Sequence, residues 1–183
     1  MKFDIGVARL MSTVALSSGL CLAAAGTALA MSSSPPDTPT CPKGQVYNQS
    51  TKKCEQQRSG ALPDKNLADY AYALAKAKRY DEAIEVLNLM QNPNTAQALN
   101  YRGYATRHMG QLDEGIGYYL RSVKLDPHYA QVREYLGEAY VIKGDLASAR
   151  YQLRKIKAIC GNTECEEYED LAKAIDGHPE DEG

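Results

Sequence analysis

One four-residue unit recurs along the chain at a fixed interval. Tyr80-Asp-Glu-Ala83, Leu112-Asp-Glu-Gly115 and Leu146-Ala-Ser-Ala149 stand 32 and 34 residues apart. Such a period constrains the fold more than any single propensity, because each copy must form the same unit and stack on its neighbours. Upstream of each copy the small and apolar residues keep helical spacing: Leu67, Ala71 and Leu74, then Leu99, Gly103 and Thr106, then Arg133, Gly137 and Tyr140. Downstream lie Ile84, Leu87 and Met90, then Ile116, Tyr119 and Val123, then Leu153 and Ile156. Each period therefore predicts a helix, a turn and a second helix.

The punctuation agrees. Gly110 and Gly144 follow the first helices of the second and third periods, where a left-handed residue ends a helix cheaply. Lys78 takes that place in the first period, which predicts a less ideal turn. Asn94 with Gln97 reads as a capping box for the second period, and Asp126 before Pro127 as an N-cap and first-turn proline for the third. Pro93, Pro127 and Gly161 mark the ends of second helices.

This pattern resembles the tetratricopeptide repeat over residues 62–160. The match rests on Leu136-Gly137, Tyr140, Gly144-Asp145, Ala149 and Leu153 in the third period, on Gly103, Gly110, Tyr119 and Asp126-Pro127 in the second, and on Ala71, Tyr80, Ala83 and Leu87 in the first. The resemblance implies an all-α, right-handed solenoid of three helical hairpins over 64–161, with repeats near 64–93, 96–127 and 130–161. Ala71, Gly103 and Gly137 then face Ala83, Gly115 and Ala149 where the two helices of a hairpin come closest. Arg102 and Arg133 stand where the family places large apolar residues, and Gly115 where it prefers alanine, so looser packing is expected at those points.

Three hairpins leave an apolar end that needs a polar-faced cap. Residues 163–176 supply one, with Thr163 and Glu166 as a capping box, a stripe of Tyr168, Leu171, Ala172 and Ile175, and Glu167, Glu169, Asp170 and Lys173 turned outward. The tail 177–183 is acidic.

The N-terminal residues read differently. Lys2 and Arg9 precede an uncharged stretch over 10–30 that ends in Ala28-Leu29-Ala30, which predicts a signal segment over 1–30 cleaved after Ala30. An uncleaved anchor is the alternative reading; cleavage leaves no membrane span. Removal of Lys2, Arg9 and Asp4 from the 21 basic and 23 acidic residues leaves 19 and 22. Of five cysteines, Cys21 leaves, and Cys41, Cys54, Cys160 and Cys165 remain. Four cysteines allow three pairings. Spacing favours Cys41 with Cys54, closing a small clasp over 41–54, and Cys160 with Cys165, fixing the cap. Ser/Pro-rich and polar linkers over 31–40 and 55–63 flank the clasp. The clasp also resembles those that precede repeat domains in exported bacterial proteins. An oxidising compartment follows: periplasmic or secreted, in a Gram-negative bacterium.

A slightly acidic chain with no basic cluster excludes broad phosphate recognition, so no nucleic-acid partner is expected. His108, His128 and His178 are its three histidines, and none stands in a metal-binding or catalytic motif. No enzyme, cofactor or metal is expected. Function then falls to the surface that core packing leaves over. In tetratricopeptide arrays the first helices line a concave groove, and here that face carries Lys65, Tyr72 and Lys76, then Gln97, Asn100, Tyr104 and Arg107, then Gln131, Glu134 and Glu138. It is basic and aromatic at one end and acidic at the other. Family members that clamp acidic chaperone tails use a lysine, asparagine and arginine set; Ala68, Tyr72, Tyr101, Gln131 and Tyr135 occupy those places, so that clamp is absent. The expected role is an exported adaptor for a protein or peptide partner in the cell envelope. The alternative is cell-wall polymer contact through the clasp, by Tyr47 stacking and Lys43, Lys52 and Lys53.

Overall fold

The structure, a computed structural model, describes residues 38–177. The expected signal segment and its cleavage site after Ala30, residues 31–37 of the linker, and residues 178–183 lie outside the described residues. A hairpin of β1 (Gln45–Asn48) and β2 (Lys53–Gln56) leads into seven helices: α1 (Asp64–Lys76), α2 (Tyr80–Leu87), α3 (Ala96–His108), α4 (Leu112–Leu125), α5 (Ala130–Ile142), α6 (Leu146–Cys160) and α7 (Glu166–Asp176).

The hairpin is antiparallel, pairing Gln45 with Gln56 and Asn48 with Lys53. Its turn is held by Asn48, whose Oδ1 accepts from the Ser50 and Thr51 amides, while Lys52 takes φ +57°. Cys41 and Cys54 are bonded with Cα atoms 5.7 Å apart. A closed loop of this size contributes about 3 kcal/mol by restricting the unfolded chain. The clasp is seated on the first hairpin rather than hanging from it. The Cys41 amide donates to the Tyr70 hydroxyl at 2.8 Å, Arg79 Nη1 donates to the Cys41 carbonyl at 2.8 Å, and Val46 is buried in the core with Tyr47 half-buried beside it. Burial of Val46 is worth about 1.5–3 kcal/mol.

Between hairpin helices the turns use left-handed residues, at φ +87° for Gly110 and +79° for Gly144. Lys78 adopts φ +62° in the first turn, a conformation that costs a side-chain-bearing residue about 1–2 kcal/mol. The helix starts differ from the expected caps. α3 is capped by Thr95, whose Oγ1 accepts from the Ala98 amide at 3.1 Å; Asn94 accepts from Arg121 instead, and Gln97 from a position inside the helix reaches Asp69. Asp126 caps the turn, accepting from the His128 amide, so Pro127 lies in that turn and α5 begins later, behind Tyr129. Cys165, not Thr163, is the N-cap of α7, because its bond to Cys160, with Cα atoms 6.4 Å apart, ties the start of that helix to the end of α6.

Packing also corrects the expected loose points. A Cβ on Gly115 would lie 3.0 Å from the Gly103 carbonyl oxygen, so this crossing is among the tightest in the molecule. Arg133 is buried but satisfied, donating to the Pro127 carbonyl at 3.0 and 2.8 Å and to Gln152 Oε1 at 3.0 Å. Arg102 donates to Asn88 Oδ1 at 2.9 Å. Gly137 faces the cap: a Cβ there would collide with Leu171 of α7. With Leu171 and Ile175 buried against Val141, Ala149 and Ile156, α7 packs on both α5 and α6, the position of the first helix of a fourth hairpin. No helix among the described residues is long and apolar enough to cross a membrane.

Candidate functional site

Because α1, α3, α5 and α7 stand side by side, residues one period apart form rows across them. Ala68, Asn100 and Glu134 make one row, Asp69, Tyr101 and Tyr135 the next, and Tyr72, Tyr104 and Glu138 a third. The third row, together with Glu134 and Tyr135 from the other two and residues of α7, lines a cavity of about 240 Å³.

Its wall nearest α1 is aromatic. Tyr72 stacks on Tyr101 at 4.5 Å and meets the edge of Tyr104 at 6.2 Å. Its hydroxyl shares a 2.9 Å hydrogen bond with that of Tyr135, whose ring lies 5.0 Å from that of Tyr104. Burial pushes the Tyr72 hydroxyl up to about 12 and raises those of Tyr104 and Tyr135 as well, so all three stay neutral donors at physiological pH. Two cations rest on these rings. Lys76 Nζ is 5.8 Å from the Tyr72 centroid and 5.9 Å from that of Tyr104, and the Arg107 guanidinium is 5.7 Å from Tyr104 and 6.0 Å from Tyr135. Arg107 is anchored by Glu138 at 2.8 Å. His108 leans on Tyr104 at 4.4 Å and stacks on Tyr80 at 5.2 Å; burial first, then Arg107 and the nearby lysines, hold its pKa below the usual imidazole value.

Toward α7 the lining turns acidic. Glu134 and Glu138 from α5 face Glu166, Glu167 and Asp170 from α7. Glu134 is only 7% exposed. Burial, reinforced by the charges of Glu138, Asp170, Glu167 and Glu166, pushes its carboxyl up to about 9.

Seven of the ten residues expected on the groove line this cavity: Tyr72, Lys76, Tyr104, Arg107, Gln131, Glu134 and Glu138. The other three do not. Lys65 is exposed and paired with the buried Asp69 at 2.6 Å. Gln97 spends its amide on Asp69 and Tyr101, at 3.1 and 3.2 Å. Asn100 is fully buried beneath the surface, donating to the Tyr129 hydroxyl and to Gln131 Oε1, each at 3.1 Å. These three belong to a polar layer that aligns α1, α3 and α5. Conversely, Glu166, expected in a capping box, and Glu167 and Asp170, expected to face outward, also line the cavity, and Glu167 is half-buried. Treating α7 as a fourth first helix, one period after α5, is the signal that places them.

No family model matches the sequence, and no curated protein matches it. Solved structures do. The Yersinia enterocolitica type III secretion translocator chaperone SycD superposes with a TM-score of 0.54 at 19% identity, over 62% of this chain and 88% of that one. SycD in complex with a peptide of the translocator YopD gives 0.50 at 20% identity, over 62% and 87%. PcrH in complex with the chaperone-binding region of PopB gives 0.52 at 18% identity, over 67% of this chain and all of that one. The fold is a helical solenoid of the tetratricopeptide type.

Proposed function

We propose that this chain is an exported adaptor that holds a segment of a partner protein along the concave face of its four first helices. The observation that carries this reading is the cavity itself: tyrosine, arginine and lysine side chains from three hairpins converge there with carboxylates from the cap. Tyrosine and arginine are the residues that most often concentrate binding energy at an interface. The solved complexes of SycD with a YopD peptide and of PcrH with the chaperone-binding region of PopB show that solenoids of this shape accept segments of other proteins.

Two disulfides suit a chain that folds outside the reducing cytosol, and with the signal-like residues 1–30 they support a periplasmic or secreted location. The cell-wall reading of the clasp draws on Lys43, Lys52 and Lys53, which are exposed, but Tyr47 rests against the core and the clasp is committed to Tyr70 and Arg79. The groove is the better candidate.

Affinity capture from envelope extract tests it. The wild-type protein is expected to retain a partner that a Tyr104→Ala/Arg107→Glu variant retains at least tenfold less; equal capture by both variants would sink the reading.

A further inference from the structure

We propose that the α5–α7 half of the groove is a pocket for a cationic side chain of the bound segment, arginine or lysine, with the Glu134 carboxyl as its floor. This rests on the groove reading above and names the chemistry that the groove selects.

The observation behind it is an acid without a partner. Glu134 is 7% exposed, lines the cavity, and makes no hydrogen bond or ion pair among the described residues. A carboxyl held mostly out of bulk water and opening only onto the cavity, with no partner from the protein, is costly to ionise, and the cheapest remedy is a donor that carries positive charge. A guanidinium or ammonium entering the cavity supplies both. An anionic or purely apolar side chain supplies neither and leaves Glu134 as it was.

Charge and shape around it agree. The lining holds five carboxylic acids against two permanent cations, Lys76 and Arg107. Arg107 is already committed to Glu138 at 2.8 Å. The Arg107–Glu138 pair is an internal example of a carboxylate of α5 holding a cation, and Lys76 sits over the tyrosine faces of Tyr72 and Tyr104. A metal ion fits less well. Among the described residues the one group of ligating atoms close enough for an ion is Cys160, Cys165 and Glu167, and its two sulfurs are joined in a disulfide.

Binding should release a proton. Glu134 shares the cavity with Tyr72 and Lys76 from α1, Tyr104, Arg107 and His108 from α3, Tyr135 and Glu138 on its own helix, and Glu166, Glu167 and Asp170 from α7. The acids and its burial hold it protonated in the free protein, at about 9. An incoming cation ionises it, and the proton passes to solvent. Affinity then rises with pH up to that value, by at most about tenfold per unit.

The test uses fluorescence anisotropy with a labelled twelve-residue peptide carrying three arginines spaced by alanines. Citrulline and glutamate versions of the same peptide serve as probes of shape without charge and of opposite charge. The arginine peptide is expected to bind at least tenfold tighter than either, and to tighten from pH 7 to pH 9. In Glu134→Gln, folded by circular dichroism, that pH dependence should vanish and affinity at pH 9 should fall at least tenfold. Equal binding of the arginine and citrulline peptides, or an unchanged pH profile in Glu134→Gln, overturns the cation pocket while leaving the groove reading intact. Failure of every peptide overturns the pocket too, and the capture comparison above then decides the groove on its own.

Discussion

Replacing Gly103 with valine is expected to lower the unfolding free energy by about 3 kcal/mol or more. A Cβ on Gly103 falls 2.7 Å from two ring carbons of Tyr119 and 3.1 Å from the Gly115 carbonyl oxygen. Tyr119 is fully buried and Gly115 is backbone, so neither can retreat without moving α4 away from α3. Overpacking of a filled core costs about 1–3 kcal/mol, and valine adds two methyl groups beyond the Cβ that already clashes. The site is the middle hairpin of three, and in a solenoid each interface is shared only with its neighbours. Losing this one separates the clasp end from the cap end. Gly117 is the control. It lies on α4, and a Cβ there meets nothing within 4 Å, so Gly117→Ala should gain up to about 1 kcal/mol from helix propensity. Urea unfolding of both variants checks the pair; a Gly103→Val midpoint close to that of the wild type would mean the helices do not approach as described.

Glu134→Gln is expected to change stability by no more than about 1 kcal/mol near pH 5 and to stabilise by roughly 4–5 kcal/mol at pH 8. The sign follows from proton linkage. Native Glu134 keeps its proton up to about 9, whereas the unfolded carboxyl releases it near 4.5. Between those values the native state binds the extra proton, so raising pH favours unfolding, by at most about 1.4 kcal/mol per unit. The stability this group allows is therefore complete below the lower value and declines as pH climbs toward the upper one. Glutamine carries no such penalty. Thermal unfolding at pH 5, 6.5 and 8 reads the difference; curves that stay parallel would show that the Glu134 carboxyl is ionised in the free protein.

How far the sequence foretold this architecture depends on the length of the signal. The hairpins were legible because Tyr80, Leu112 and Leu146 open the same unit three times, and Gly110 and Gly144 punctuate it. Caps were not, because Asn94, Thr95 and Asp126 are all competent hydrogen-bond acceptors within a residue or two of the helix starts. Only the backbone path decides which of them reaches an amide. Compared with the family's alanine, Gly115 reads as a weakened contact. Its meaning changes once Gly103 stands opposite, since two glycines let two backbones touch. Within the groove, Tyr72, Tyr104 and Arg107 followed from their spacing. Asn100 shares that spacing but is overlaid by Tyr129 and Gln131, a tertiary contact that helix periodicity does not encode. The acidic wall was hidden for another reason: Glu166, Glu167 and Asp170 look like solvated cap residues unless α7 is counted as the start of a fourth repeat.

The central claim is that partners lie along the first helices and not on the opposite face. Site-specific photocrosslinking in living cells addresses it most directly, with a photoreactive phenylalanine analogue at His108, on the cavity wall, or at Ala158, exposed on α6. A discrete crosslinked partner from position 108, absent from position 158 and lost when Tyr104→Ala/Arg107→Glu is added, is the predicted result. The same partner crosslinking from position 158 and not from position 108 would contradict it.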